Sequence, residues 1–452
     1  MGVFFGTIRE ARRAVRSGQV SVRELVDACG ERIAREESRV RAWVRFDLEA
    51  ARREADRLDD ELRRGIDRGP LHGMPVGIKD LVDIAGWATE AGSPLRRGRM
   101  ASADAPLVAR LRAGGAILLG KTVTTEFACF DPAPTRNPLN VNRTPGGSSS
   151  GSAAAVSTGM CLAALGTQTG GSILRPASFC GVAGFKPTHG RVSLAGVVPI
   201  SAHLDHAGPI ARCVADLEAM FGVLDERRSD ADGPDAGRWM EETSASWPDS
   251  EFPKALRWLA FRDYSREEAA ADVDAAFVEA LRRLRSLGVA VEETSLPPEF
   301  ATVHRHHRVV MAHDAGQVHR RDFAARPEAF GPHVASLIRE GLEIAAVESE
   351  RGQYASALEQ QREFRAVMRR MLGGDTIALM PSTVSVAPGV ETTGDPKFNS
   401  PWSFAGIPAV SIPCGTGEEG LPCGLQLLGG PDRDYAVLRA AAWCERQLEL
   451  MM

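Results

Sequence analysis

The chain lacks any apolar run that approaches the ~20 residues a membrane-spanning helix needs. Its charge has no strong sign: 54 Lys and Arg stand against 59 Asp and Glu, a net charge of −5. That balance gives no basic footprint for nucleic acid. Cysteine pairs at metal or redox spacing are also missing. The eight cysteines (Cys29, Cys129, Cys161, Cys180, Cys213, Cys414, Cys423 and Cys444) are scattered without a CxxC, and are expected to be reduced and mostly buried. The opening residues MGVFFGTIREARRAVRSG hold too short an apolar run for a secretion leader. Gly6 stands where N-myristoylation requires Ser or Thr. These absences predict a cytoplasmic protein that engages neither membrane nor nucleic acid.

What is present is an ordinary globular composition, 44% hydrophobic and 25% charged, spread over 452 residues. Length alone would allow about three domains. The local patterns alternate helices with short buried strands. Ser21-Val22-Arg23-Glu24 is a capping box that opens a helix to about Glu36, and a second charged helix runs from about Asp47 to Arg64. Met74 to Ile78 reads as a strand ending at Lys79, and Ala116 to Leu119 as another. Further strands are expected over 256–261, 289–292, 377–380 and 425–428. Further helices are expected over 273–284, 301–325, 347–372 and 435–448. Residues 226–253 are acidic, contain Pro and Gly, and read as a surface excursion. The alternation gives α/β with a parallel or mixed sheet.

One stretch dominates the rest: PGGSSSGSAAAVSTGMCLAALGTQTGGSILRPASFCGVAGFKP, residues 145–187. Two serine-bearing glycine turns, 146–151 and 170–172, bracket a small-residue apolar segment that predicts a buried helix running into a strand. Glycine turns let backbone N–H groups approach a ligand closely, as an oxyanion hole requires. A serine hydroxyl needs an adjacent base to act as a nucleophile. The histidines fall outside these turns, so no Ser-His-Asp pattern emerges. Lys79, after the apolar Val76-Gly77-Ile78, could be that base, because burial disfavours its ammonium form.

Other motifs are set aside. Residues 115–122, GAILLGKT, satisfy the phosphate-loop pattern, but the order is helix then strand and the four middle residues are apolar. Asn142-Arg143-Thr144 fits a glycosylation acceptor in a chain with no sign of secretion. His304 and His307 share a helix face, with His306 beside them, yet no HExxH or carboxylate pattern accompanies them. They read as polar surface or pocket lining, and no metal or cofactor is expected.

The stretch resembles the signature of the amidase signature family: GGSSSGSAAA, then GTQTGGSILRPASFCGVAGFKP, with the lysine strand LHGMPVGIKD upstream. The likeness continues through Asp205-His206-Ala207-Gly208-Pro209, Asn399-Ser400-Pro401-Trp402 and Gly424-Leu425-Gln426, nearly the whole chain. The resemblance implies one domain over 1–452, with a large mixed sheet wrapped by helices and its catalytic signature within 71–210. It implies hydrolysis of a C–N amide bond with Ser172 as nucleophile, Ser148 in or beside a cis peptide as the bridging serine, and Lys79 as base. Backbone amides of Thr169, Gly170, Gly171 and Ser172 would form the oxyanion hole. Ser149 would orient the cluster, with Gln168 and Arg175 as further substrate contacts. Where many members read GGSIR, this chain has Leu174 in place of the arginine. Arg175 matches a position that holds a substrate carboxylate in part of the family, and a structural ion pair or carbonyl cap is its other reading. Carbamate or biuret-type hydrolysis, and service as the amidase component of a tRNA-dependent amidotransferase, are the alternatives. The partner is expected to be a small amide or carbamate, and the protein a monomer or homodimer.

Overall fold

The computed structural model describes residues 6–227 and 255–448. Among these, eleven strands form one sheet. They are β1 (Trp43–Phe46), β2 (Pro75–Lys79), β3 (Ile117–Thr122), β4 (Ala163–Gln168), β5 (Ala183–Lys186), β6 (His206–Ala211), β7 (Arg257–Ala260), β8 (Val291–Glu293), β9 (Thr376–Pro381), β10 (Ala409–Thr416) and β11 (Pro422–Leu428). The order is β1-β3-β2-β4-β6-β5-β10-β11-β9-β7-β8. The sheet is mixed: β2 runs parallel to β3 and β4, while β4 pairs antiparallel with β6. β2 to β6, β9 and β11 bury every residue. That explains their short, unbroken apolar runs: helices cover both faces of the sheet. A single continuous core joins these elements, in the single-domain α/β arrangement expected.

The helices follow local rules. Ser21 and Glu24 form the capping box of Val22–Val40, which runs four residues beyond its expected end. Asp47 caps Leu48–Arg63. Six of residues 115–122, Ile117–Thr122, form β3, with Lys121 fully buried in the strand, so the motif cannot wrap a phosphate. The excursion expected over 226–253 lies, apart from its first two residues, outside the described residues.

Two features place the site. First, β2 and β4 are parallel neighbours, so Lys79 at the end of β2 stands beside the loop that leaves β4. Ligands gather at such carboxyl ends of parallel strands. Second, a helical hairpin, Val303–Ala325 and Pro332–Ala346, closes over this end. Its second helix is seated by two carboxylates from the loop after β3. Glu126 accepts from the Gly331 amide at 2.7 Å, and Asp131 from the Val334 amide at 3.0 Å. The two helices cross at Gly316 and Gly341, where a Cβ on Gly316 would lie 2.8 Å from the Gly341 carbonyl carbon. A Cβ on Gly341 would collide with the Ala312 carbonyl.

Gly341→Ala should therefore pry the hairpin apart and lower stability by ~1–3 kcal/mol, the usual cost of overpacking. Urea unfolding of the variant beside wild type measures this, and an unchanged midpoint would show that the crossing has slack.

Candidate active site

Lys79 is fully buried at the end of β2. Its Nζ lies 2.7 Å from Ser148 Oγ, 2.9 Å from Thr167 Oγ1 and 3.4 Å from the Thr167 carbonyl. No carboxylate among the described residues pairs with it. The adjacent Asp80 projects to the other side and takes Lys121 at 2.8 Å, both buried. Burial thus drives the Lys79 pKa well below 10.5, opposed only in part by the charge of Asp205. Burial of an amine without a counter-ion favours its neutral form.

Ser148 follows a cis peptide from Gly147. Its turn is tied to the second serine turn through the Ser149 amide, which donates to the Ser172 carbonyl at 3.2 Å. The Ser149 hydroxyl donates to the Thr167 carbonyl at 3.2 Å, bracing the turn against β4. Arg175 Nη2 donates to the Gly147 carbonyl at 2.7 Å. Its Nε and Nη1 are buried and have no hydrogen-bond partner. Burial pulls this guanidinium down to about 10, with Asp395 pulling the other way.

The loop from Gln168 to Ser172 is organised by its carbonyls, each of which accepts from a group outside the turn. His206 Nδ1 meets the Gln168 carbonyl at 3.2 Å and His307 Nε2 the Thr169 carbonyl at 3.0 Å. Ser403 Oγ donates to the Gly170 carbonyl at 2.8 Å and the Arg175 amide to the Gly171 carbonyl at 2.9 Å. The amides of Gly170, Gly171 and Ser172 donate to no other described residue. At Gly171 a side chain is excluded, since a Cβ would lie 2.6 Å from Asn399 Oδ1. Thr169 Oγ1 donates to Asp205 at 2.6 Å. Burial lifts that carboxyl to about 6, against this bond and two from the Ile200 and Ser201 amides.

Ser172, Arg175 and Thr169 to Gly171 open onto a cavity of about 300 Å³. The hairpin contributes His304, His307, Arg308 and Met311 to its wall, at helical spacing on one face. Gln168 and Ser149 do not line it. Gln168 Oε1 accepts from the Ile173 and Leu174 amides at 2.9 and 3.1 Å, and Nε2 donates to Ser403. Both side chains are consumed in shaping the turns. His304 and His307 reach the cavity wall, whereas His306 does not, and no cluster of metal-holding side chains occurs among the described residues. Asp205, Ser403 and Thr167 went unnoticed as supports. Thr167 and Asp205 stood inside recognised motifs, but nothing in their type announced a structural task, and Ser403 is 233 residues from its partner.

A family model described as Amidase matches residues 24–438. The chain is 36% identical over 476 residues to a subunit of the glutamyl-tRNA(Gln) amidotransferase of Roseiflexus castenholzii, covering 96% of this chain and 94% of that protein. It is 33% identical to the corresponding protein from Geobacillus thermodenitrificans, covering 98% and 97%. Among solved structures, a crystal structure of an amidase superposes with a TM-score of 0.84 at 32% identity, covering 98% of this chain and 100% of that one. A vestigial protein complex that bears on the origins of an s-triazine catabolic enzyme gives 0.86 at 30%, covering 97% and 98%. The native peptide amidase of Stenotrophomonas maltophilia gives 0.79 at 28%, covering 98% and 97%.

The state of Lys79 is testable through stability. Its folded pKa lies below the unfolded one, so the unfolded chain binds more protons between the two values, and stability rises with pH across that window. Lys79→Met removes this term. The stability difference between wild type and variant should shift in favour of wild type as pH rises from about 7 to about 9.5 in urea titrations, the window below the unfolded lysine pKa. A constant difference would mean that the amine is charged in the folded state.

Proposed function

The chain belongs to the amidase signature family and is a hydrolase of C–N amide bonds; within that chemistry we propose that Ser172 is its nucleophile, Ser148 its proton bridge and Lys79 its base. Ser172 Oγ attacks the amide carbon as its proton passes through Ser148 to Lys79. Backbone amides of Thr169, Gly170, Gly171 and Ser172 take the developing oxyanion. The C–N bond then breaks, and Lys79 returns the proton through Ser148 to the departing amine. Water repeats the sequence on the acyl-enzyme and releases the acid. The observation that carries this reading is the counter-ion-free Lys79 amine 2.7 Å from Ser148 Oγ, beside the loop that bears Ser172.

For the substrate, we propose an acyl donor that carries a carboxylate. Support comes from Arg175, a buried guanidinium on the cavity wall with two nitrogens unpartnered. Its planar fork suits a carboxylate. Its bond to the Gly147 carbonyl gives it a structural share as well. A second reading is favoured by the curated relatives, which are named as components of glutamyl-tRNA(Gln) amidotransferase. In that reading the chain works beside partner proteins on a free amino-acid amide, which also presents a carboxylate. ATP-independent hydrolysis by the isolated chain, with sizing that reports a monomer or homodimer, favours the free-standing cytoplasmic amidase. A panel of amic acids, glutamine, neutral amides, carbamates and biuret ranks the substrates.

Two outcomes are expected. Ser172→Ala abolishes turnover without unfolding the protein, and phenylmethanesulfonyl fluoride adds one mass to Ser172 in wild type. Near-normal activity in the variant, or modification elsewhere with Ser172 intact, would sink the assignment. Arg175→Ala lowers kcat/KM for every amide through the loss of its Gly147 bond, but lowers it further for an amic acid. The extra loss relative to the neutral analogue should reach roughly 30- to 5,000-fold, the range for breaking one buried charge pair. Equal losses for the two would leave Arg175 a purely structural part.

A further inference from the structure

The loop 168–172 is held by groups from four directions, and one of them comes from the helical hairpin, far outside the signature stretch. His307 lies on Val303–Ala325, is 7% exposed, and places Nε2 3.0 Å from the Thr169 carbonyl oxygen. A carbonyl can only accept, so the proton sits on Nε2 and fixes the tautomer. Burial keeps the ring neutral, its pKa pulled down to about 4. The ring also packs on the loop itself: a Cβ added to Gly170 would lie 3.8 Å from His307 Cε1.

The Thr169–Gly170 peptide is trans, because Gly147–Ser148 is the one cis bond recorded among the described residues. In a planar trans peptide the C=O and N–H point in opposite directions. Pinning the Thr169 carbonyl to His307 therefore sets the direction of the Gly170 N–H on the far side of the same plane. That N–H has no other described partner. Glycine has no side chain to restrain the plane, so an external anchor is what stops it rotating.

We propose that His307 is a positioning residue for the oxyanion hole: its Nε2–H holds the Thr169 carbonyl and thereby aims the Gly170 amide at the substrate oxygen. This rests on the reading of Ser172 as nucleophile. It gives the hairpin a part in the chemical step beyond lining the cavity. His206, Ser403 and the Arg175 amide hold the Gln168, Gly170 and Gly171 carbonyls, so the Thr169–Gly170 plane is the one left to His307.

The test compares three variants. His307→Gln places an amide N–H where Nε2 was, His307→Asn is too short to reach the carbonyl, and His307→Leu removes the donor. Removing an oxyanion donor outright costs ~100- to 1,000-fold in kcat, and misaiming one should cost ~10- to 100-fold. The Leu and Asn variants are therefore expected to lose that much kcat on the best amide of the panel, with KM moving less than about 3-fold because the ground-state carbonyl depends little on the hole. The Gln variant should recover to within about 5-fold of wild type, since it restores the donor. The rate at which phenylmethanesulfonyl fluoride modifies Ser172 should follow the same order, because that reaction also builds negative charge on oxygen. Thermal unfolding checks that the variants are folded, and the Asn variant stands in if Leu is not tolerated. A loss carried by KM, a Gln variant as slow as Leu at equal stability, or wild-type labelling of Ser172 in the Leu and Asn variants would overturn the proposal. Labelling at a residue other than Ser172 in wild type would instead remove the nucleophile assignment, and this inference with it.

Discussion

The structure depends on an amine that has been denied a carboxylate. Lys79 and Asp80 are sequence neighbours, and on an exposed strand they would offset one another. Here the backbone sends them to opposite sides, and Lys121 from the adjacent strand claims Asp80. Lys79 is left among hydroxyls and a carbonyl, Ser148, Thr167 and the Thr167 main chain. Taking a charge out of water without a partner is costly, and this pushes the Lys79 pKa well down. The Asp80–Lys121 pair thus serves the site indirectly. It satisfies a buried carboxylate that the Lys79 amine does not reach.

The second organising principle is restraint from outside. The loop after β4 is rich in glycine and has little means of fixing itself. Its carbonyls are turned outward by His206, His307, Ser403 and the backbone of Arg175, and this leaves its amides unclaimed. Arg175 does the same for the first serine turn through the Gly147 carbonyl. Pre-set dipoles of this kind need no reorganisation when charge develops on a substrate.

Much of this was legible in the sequence. Glycine turns at 146–151 and 170–172, the small residues between them and the apolar strand into Lys79 are local patterns, and each became the element expected. The capping box at Ser21 and the charged run from Asp47 placed helix starts correctly. β1, β5, β6 and β10 were not anticipated. β5 and β6 carry the glycines and proline of Ala183–Lys186 and His206–Ala211, which weaken a strand pattern, and they persist because neighbouring strands supply their hydrogen bonds. Gln168 and Ser149 illustrate the limit at the site. Their type and position suit a substrate contact equally well, and only the fold shows that their polar atoms are spent on the turns. Arg175 was balanced between two roles by sequence, and the fold shows one nitrogen spent on the Gly147 carbonyl and two buried without a hydrogen-bond partner. His307 stood out as one of a cluster, but its partner is 138 residues away.

The crossing of two glycines at 316 and 341 lets the hairpin lie close, with carboxylates Glu126 and Asp131 as its moorings. The cavity wall is consequently shared between two lengths of chain, the stretch that bears the signature serines and a later one. The serines and the lysine fall between residues 79 and 172, while much of what a ligand meets comes from 304–311 and 395–400. Much of the wall can therefore be redrawn along one helical face and one loop without touching the serines or the lysine, and His307 is the position on that face where a change would reach the glycine loop as well.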